Sequence, residues 1–258
     1  MVKKQPVLFI GHGSPMNAIM ENSYTKMLNK LGEELDKPKA IMVISAHWVT
    51  NGTYITEQDS PKEIYDFYGF PEELYNMKYS TSGAKPYINK VFEELKDYNV
   101  KLTDTWGIDH GAWCILKYIF PKADVPVFQL SLNALENEEY HYNLGKRLSK
   151  LREEGILILG SGNIVHNLRE MKTDKDVNPY AWAVEFDEFV ADAIIKGDHN
   201  KLINYKEMGR EAFLSAPTDE HYLPLLYIAG LMEEGDKVEF IFTEIEHGSL
   251  SMRSIKIG

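Results

Sequence analysis

The sequence has one cysteine, Cys114, in 258 residues. No disulfide can form within the chain, and no set of thiolates can hold a metal ion. A lone thiol suits a reducing compartment, and the chain is expected to be cytoplasmic. Basic residues are also scarce: 28 Lys and Arg stand against 39 Asp and Glu, for a formal net charge of -11. The cations are scattered, so no basic field attracts a phosphate backbone, and nucleic acid is not an expected partner. No apolar run approaches the roughly 20 residues that span a bilayer. The apolar part of the opening MVKKQPVLFIGHGS is too short for a secretory signal, so it is read as a first strand, with no membrane partner expected. Internal repeats, low-complexity tracts and Pro/Gly/Ser-rich linkers are missing too. Residues 1–258 are therefore expected to form a single domain.

What is present is apolar: 44% of residues are hydrophobic and 12% aromatic, enough for a large core. The runs PVLFIG (6–11), AIMVISAHW (40–48), VPVFQLSL (125–132), ILILGSG (156–162) and KVEFIFTEI (237–245) are rich in Val, Ile and Phe and mostly apolar at successive positions. Unbroken apolarity suits strands covered on both faces. Segments 22–36, 83–97, 137–153, 180–195 and 221–232 carry helical spacing, as in Tyr140, Leu144, Leu148 and Leu151. This alternation predicts an α/β fold, a mostly buried central sheet covered by helices. Residues 50–82, with their aromatic residues, Pro61 and Pro71, are predicted to run as a long loop over the sheet, a lid or pocket wall.

The eight histidines fall into different settings. His12 follows the first predicted strand in GHGS, His47 the second in SAHW, and His166 the fourth in GSGNIVHN. The carboxyl ends of strands are where open α/β sheets bind ligands. His221, in APTDEHYLPLL, opens a predicted helix, and His110, in GIDHGAW, lies between Gly107 and Gly111. These five can surround one cleft. Glycines beside them leave backbone room for a ligand, although the same glycines also suit tight turns. His141, on a polar helix face, and His199, in the charged turn KGDHNK, are expected to be surface or structural residues. His247, in EHGS, has a glycine neighbour like that of His12 and stays undecided.

With no cysteine partner, a metal site here would be rich in nitrogen and oxygen. Neutral imidazole suits zinc or iron(II), and three ligands with open positions make a catalytic site. The HExxH spacing of zinc proteases is absent, so the ligands would come from distant segments.

GHGSPM around His12, SAHW around His47, WGIDHGAW around His110, GSGNIVHN around His166 and PTDEHYLPLL around His221, with the ending GSLSMRSIKIG, closely resemble the class III extradiol ring-cleaving dioxygenases, in the branch similar to DOPA 4,5-dioxygenase. The resemblance covers nearly the whole chain. It implies a single α/β domain that binds one divalent metal, a small-molecule catechol and O2, and opens the aromatic ring beside the hydroxyls. Fe(II) is the implied metal for activity, and Zn(II) is the other metal assigned to this branch. The resemblance further implies that His12 and His47 are metal ligands, with His221 standing where protocatechuate-cleaving relatives place a carboxylate. Glu220 is the neighbouring carboxylate that could replace it. His166 matches the acid/base histidine and could also close a zinc shell as a fourth ligand. His110, near Trp106 and Trp113, could hydrogen-bond oxygen or substrate, with the two indoles walling a ring slot. A catechol must lose protons to chelate a metal, which calls for a base near neutrality, and histidine meets that need.

Two alternatives remain from the residues themselves. A GHGS turn after a first strand also occurs in chelatases that insert metal into tetrapyrroles, and a closed four-ligand shell would fit a zinc-binding protein without catalysis. An amino-acid side arm such as that of DOPA would need a carboxylate-binding group, and Arg169 is the one basic residue flanking the five motifs.

Overall fold

Strand β1 (Val7–Gly11) is buried along its whole length. Val7 and Phe9 join one hydrophobic core, while Leu8 and Ile10 join another on the opposite face of the sheet. The same division holds in β2 (Ala40–Thr50), where Met42 and Ile44 face the first core and Ile41 and Val43 the second. Two apolar faces per strand explain the absence of polar alternation.

The computed structural model describes residues 4–258. After β1 come α1 (Ser23–Glu34), β2, β3 (Tyr54–Thr56), α2 (Glu72–Tyr75), α3 (Lys85–Glu94) and β4 (Lys101–Thr103). Then follow α4 (His110–Ile119), β5 (Val127–Asn133), α5 (Glu138–Arg147), β6 (Ile156–Gly162) and α6 (Ala181–Lys196). The chain closes with α7 (His199–Ile203), α8 (Arg210–Ser215), α9 (Leu223–Gly230), β7 (Val238–Phe242), β8 (Ile245–Glu246), β9 (Leu250–Ser251) and β10 (Ser254–Ile257). One eight-stranded sheet has the order β4-β3-β5-β2-β6-β1-β10-β7. Its centre, β5-β2-β6-β1, is parallel, and β10 and β7 complete one side antiparallel. Helices α5, α6 and α9 supply apolar residues to the first core, and α1 and α4 to the second. The α/β fold follows, with helices on both faces of a mixed sheet.

Parallel register fixes where the site lies. Gly11 pairs with Gly162 and Ser45 with Ser161, so β1, β2 and β6 bring their carboxyl ends to one edge. His12 lies directly beyond that edge, and its N–H donates to the Gly162 carbonyl at 3.1 Å. The predicted strand over 40–48 continues to Thr50, with an irregularity between Ile44 and Val49. His47 therefore sits within β2 instead of after it.

Helix α4, which His110 begins, is not predicted from the sequence. All of its residues except Lys117 and Tyr118 are buried, so it lacks the polar face that marks an amphipathic helix. Segment 50–82 contains β3 and α2 and is pinned to the body by a bridge between Glu63 and Ile108. No helix among the described residues is long and apolar enough to cross a membrane.

Candidate metal centre

The structure gathers His12, His47, His110, His166 and His221 at the edge defined by β1, β2 and β6. Ring centroids of His12, His47 and His221 lie 4.9, 5.1 and 5.3 Å apart. His110 lies 3.9 Å from His47, and His166 stacks on His221 at 3.5 Å with the rings 6° from parallel. Each comes from a different segment. His110 enters at the start of α4, and His221 just before α9. The His166 N–H donates to the Ser215 carbonyl at 2.8 Å, and its backbone pairs with Leu250.

Two glycines permit this convergence. A Cβ on Gly111 would come within 2.7 Å of Ser45 Oγ and 3.0 Å of His47 Cδ2. A Cβ on Gly162 would lie 2.2 Å from the His221 carbonyl oxygen. Any side chain at either position would push α4 or the start of α9 away from the sheet.

Hydrogen bonds decide which ring nitrogens are free. Ser161 Oγ donates to the Gly111 carbonyl at 2.6 Å, which leaves its oxygen to accept from His12 Nδ1 at 3.0 Å. His47 Nδ1 lies 3.2 Å from Asp66 Oδ2. His221 Nδ1 lies 3.1 Å from Glu220 Oε1. All three Nδ1 atoms therefore carry protons, and all three Nε2 atoms carry lone pairs. Nε2 of His12 and Nε2 of His47 face one another at 3.1 Å, and Nε2 of His221 is buried without a partner. Facing lone pairs repel unless a cation lies between them. Ligands at about 2.0–2.1 Å around a tetrahedral ion stand about 3.3 Å apart, close to the separation seen. The residues present thus fit a divalent metal, and each of the three rings has an acceptor behind it, as metal-bound histidines normally do.

Two other groups of potential ligands overlap this one: His47, Asp66 and His110, and His166, Glu220 and His221. Their carboxylates already accept N–H bonds, from His110 Nδ1 at 2.8 Å, from His47 Nδ1 and from His221 Nδ1. The nitrogens facing Asp66 and Glu220 are donors, so His12, His47 and His221 form the set with free lone pairs.

Burial holds the rings of His12, His47, His166 and His221 uncharged near pH 7. Burial lowers the pKa of His12 and His221 well below the ordinary histidine value, and neighbouring imidazoles add to the effect. Burial and the nearby His110 bring His47 down to about 3, against the opposing pull of Asp66. Burial takes His166 to about 4. For Asp66, burial disfavours the charge, but hydrogen bonding and charge interaction with His110 and His47 outweigh it and lower its pKa. An ionised Asp66 thus stands behind the neutral ring of His47.

Of the remaining histidines, His141 is fully buried, not on a polar face, with Nδ1 3.0 Å from the Tyr227 hydroxyl. His199 stands by Tyr142 at 5.3 Å between rings. His247 bonds the Lys172 carbonyl at 2.9 Å and belongs to none of the potential metal-binding groups. The two tryptophans separate. Trp106 stacks on Trp48 and lines a cavity of about 470 Å³ that opens at His47. Trp113 is wholly buried and donates to the Ile64 carbonyl at 3.1 Å, so it backs the site instead of walling it. Phe67 takes its place, with its ring edge-on to His110 at 5.4 Å.

Sequence reasoning missed Asp66, Phe67 and Ser161 as site residues. Asp66 and Phe67 lie in the segment predicted as a pocket wall, but nothing local distinguishes them from its other acidic and aromatic residues. Ser161 lies in the GSGNIVHN motif, where its role depends on a carbonyl contributed by α4. Asp109 was also unmarked; it is fully buried and pairs with Ser45 at 2.7 Å and Gln129 at 2.8 Å, supporting β2 beneath His47.

Comparison with known proteins accords with this geometry. The chain is 43% identical over 259 residues to the 4,5-DOPA dioxygenase extradiol of Escherichia coli (strain K12), covering 99% of this chain and 95% of the relative. It is 37% identical over 255 residues to the 4,5-DOPA dioxygenase extradiol of Beta vulgaris, covering 96% and 94%. The crystal structure of an uncharacterized protein from Escherichia coli K12 superposes with a TM-score of 0.87 at 39% identity, covering 98% of this chain and 100% of that one. The family of the catalytic LigB subunit of aromatic ring-opening dioxygenase matches residues 6–254. That match favours ring cleavage over both the chelatase and the non-catalytic zinc alternatives: the chain belongs to this family and is a metal-dependent extradiol dioxygenase.

Proposed function

We propose that His12, His47 and His221 hold one divalent metal, iron(II) in the active enzyme, and that the protein opens the ring of a catechol of the DOPA type at the 4,5 position. The facing Nε2 atoms of His12 and His47, with their protons held on Nδ1, carry this reading. His221 is the third ligand and Glu220 its acceptor, since Glu220 already takes the His221 Nδ1 proton. The DOPA assignment draws on the names of the relatives.

His12, His47 and His221 would hold the metal, and iron(II) there would supply binding positions for the catechol and O2 and a redox link between them, whereas zinc, with no accessible redox change, could occupy the site without that link. His166 is the acid/base residue. Burial keeps it neutral near pH 7, which leaves a ring nitrogen open to the proton that a catechol hydroxyl must lose, and the negative charge of a bound catecholate would raise its proton affinity toward the range that proton transfer needs. His110 has Nδ1 tied to Asp66, which leaves Nε2 for substrate or oxygen. Phe67 and Trp106 supply apolar walls that exclude water beside a flat ring. We further propose that the whole chain works as a single catalytic domain in the cytoplasm, consistent with its lone buried cysteine.

The test is anaerobic reconstitution with iron(II) or zinc, followed by oxygen uptake and absorbance of the ring-opened product with a panel of catechols. Iron protein is expected to turn over and iron-free zinc protein is not. His166→Gln should retain iron while losing roughly 10²–10⁴-fold in single-turnover rate, whereas His221→Ala should lose iron. If both lose iron equally, His166 is a ligand and His110 becomes the base.

A further inference from the structure

Asp109 precedes His110 and stands at the N-cap position of α4, yet its side chain makes no capping bond there. Aspartate suits that position because its carboxylate can accept a helix N–H, so this one is turned to another use. Oδ1 accepts from Ser45 Oγ at 2.7 Å. Oδ2 accepts from Gln129 Nε2 at 2.8 Å, and Gln129 Oε1 takes the Asp109 backbone N–H, also at 2.8 Å. Asp109, Ser45 and Gln129 are all fully buried, and one carboxylate ties α4 to β2 and β5. The tie lies where β2 departs from regular pairing. Ile44 pairs with Leu130 and Val49 with Leu132, so the four residues Ser45 to Trp48 stand against the single Ser131 of β5. A bulge of this kind re-aims a side chain, and here it carries His47. Ser45 Oγ, while donating to Asp109, accepts the His47 backbone N–H at 3.2 Å.

We propose that Asp109 is a positioning residue that holds this bulge in shape and locks it to α4, so that His47 and the adjoining His110 keep the 3.9 Å separation of their rings. It acts through Ser45. The inference rests on the reading of His47 as a metal ligand. The bonds require a carboxylate, because Ser45, Gln129 and the backbone together use acceptors that an amide cannot all supply. In Asp109→Asn, an oxygen turned toward Ser45 leaves an NH2 group facing the Gln129 NH2. If Gln129 turns over, its NH2 faces the backbone N–H instead, and if the new amide turns over, the Ser45 hydroxyl loses its acceptor. Adding Gln129→Glu restores every bond, since the carboxylate then at 129 accepts both from that amide and from the backbone N–H.

The experiment measures zinc affinity by competition with a chromophoric chelator, and hydrogen–deuterium exchange of the His47 amide by NMR in metal-free protein. The proteins are wild type, Asp109→Asn, the double variant Asp109→Asn/Gln129→Glu, and Ser45→Ala. Asp109→Asn should weaken zinc binding by about 10–100-fold and speed exchange at His47. The double variant should recover most of both losses, which a merely structural role for the carboxylate would not predict. Ser45→Ala cuts the same link while leaving Gln129 bound to Asp109, and should weaken zinc to a similar degree. Wild-type affinity and exchange in a folded Asp109→Asn protein, or a double variant no better than the single one, overturn the inference. If Asp109→Asn does not fold, Ser45→Ala decides, and wild-type values there overturn it. Full zinc affinity in His47→Ala would instead overturn the reading of His47 as a ligand, and the exchange data would still report on Asp109.

Discussion

Replacing Asp66 with Asn tests the logic of the site at one atom. Asp66 Oδ1 accepts from the His110 backbone N–H at 3.2 Å and from His110 Nδ1 at 2.8 Å. Oδ2 lies 3.2 Å from His47 Nδ1. Asparagine keeps the shape but replaces one oxygen with an NH2 group. The end with two donors will retain the oxygen, so the NH2 turns toward His47 Nδ1. Two donors cannot face each other, and His47 must move its proton to Nε2, the atom that faces His12 Nε2 at 3.1 Å. A metal can bind only after that proton is removed or the ring reorients. Loss of such an outer partner costs about 10–100-fold in metal affinity, or about 1.4–2.7 kcal/mol. Competition with a chromophoric chelator, for zinc and anaerobically for iron(II), measures it directly. The side chain of Asp66 is only 18% exposed, so the far-ultraviolet circular dichroism and urea midpoint of the metal-free variant should be recorded to show that the fold persists. Unchanged affinity in a folded Asp66→Asn variant would refute the assignment of protons on which the metal site rests.

Three further outcomes are expected. Gly162→Ala, whose Cβ would sit 2.2 Å from the His221 carbonyl, should displace His221 and lower metal affinity more than it lowers helical content; the same chelator competition and circular dichroism compare the two. Arg152 is fully buried, bonded to Asp236 at 2.6 Å and to the Leu231 carbonyl at 2.8 Å; Arg152→Met should destabilise the protein by about 3–5 kcal/mol, and a urea midpoint close to wild type would contradict that. Burial takes His141 down to about 4 despite Asp219 and Glu138, so the unfolded chain binds its proton first. The stability this provides is complete above about pH 6.5 and is lost as pH falls toward 4, amounting to about 3 kcal/mol. Urea titrations of metal-free protein at several pH values should show a shallower fall in His141→Gln than in wild type.

The residues of β1, β2 and β6 settle much of the fold by themselves. Their apolar runs can be buried only with cover on both faces, and that requirement alone leads to a helix-covered sheet. Glycines next to His12 and His110 likewise leave backbone room for close approach, though tight turns use the same residues. Converging strand ends single out His12, His47 and His166, and a helix start and flanking glycines add His221 and His110, the five rings that meet at one edge in the structure. Sequence failed for α4, which has no polar face to give it a period, and for His141, whose polar neighbours conceal a ring buried against Tyr227. The resemblance implies roles for the five, and what tertiary structure adds is the acceptor behind the rings of His12, His47 and His221. Whereas His221 has the adjacent Glu220, the protons on the other two imidazoles are set by acceptors distant in the chain, Ser161 for His12 and Asp66 for His47. Such partners come from different strands and loops and leave no local spacing to read. The chain thus encodes which side chains can bind a metal, while the packing of α4 and the 50–82 segment against the sheet decides which nitrogen of each is free to do so.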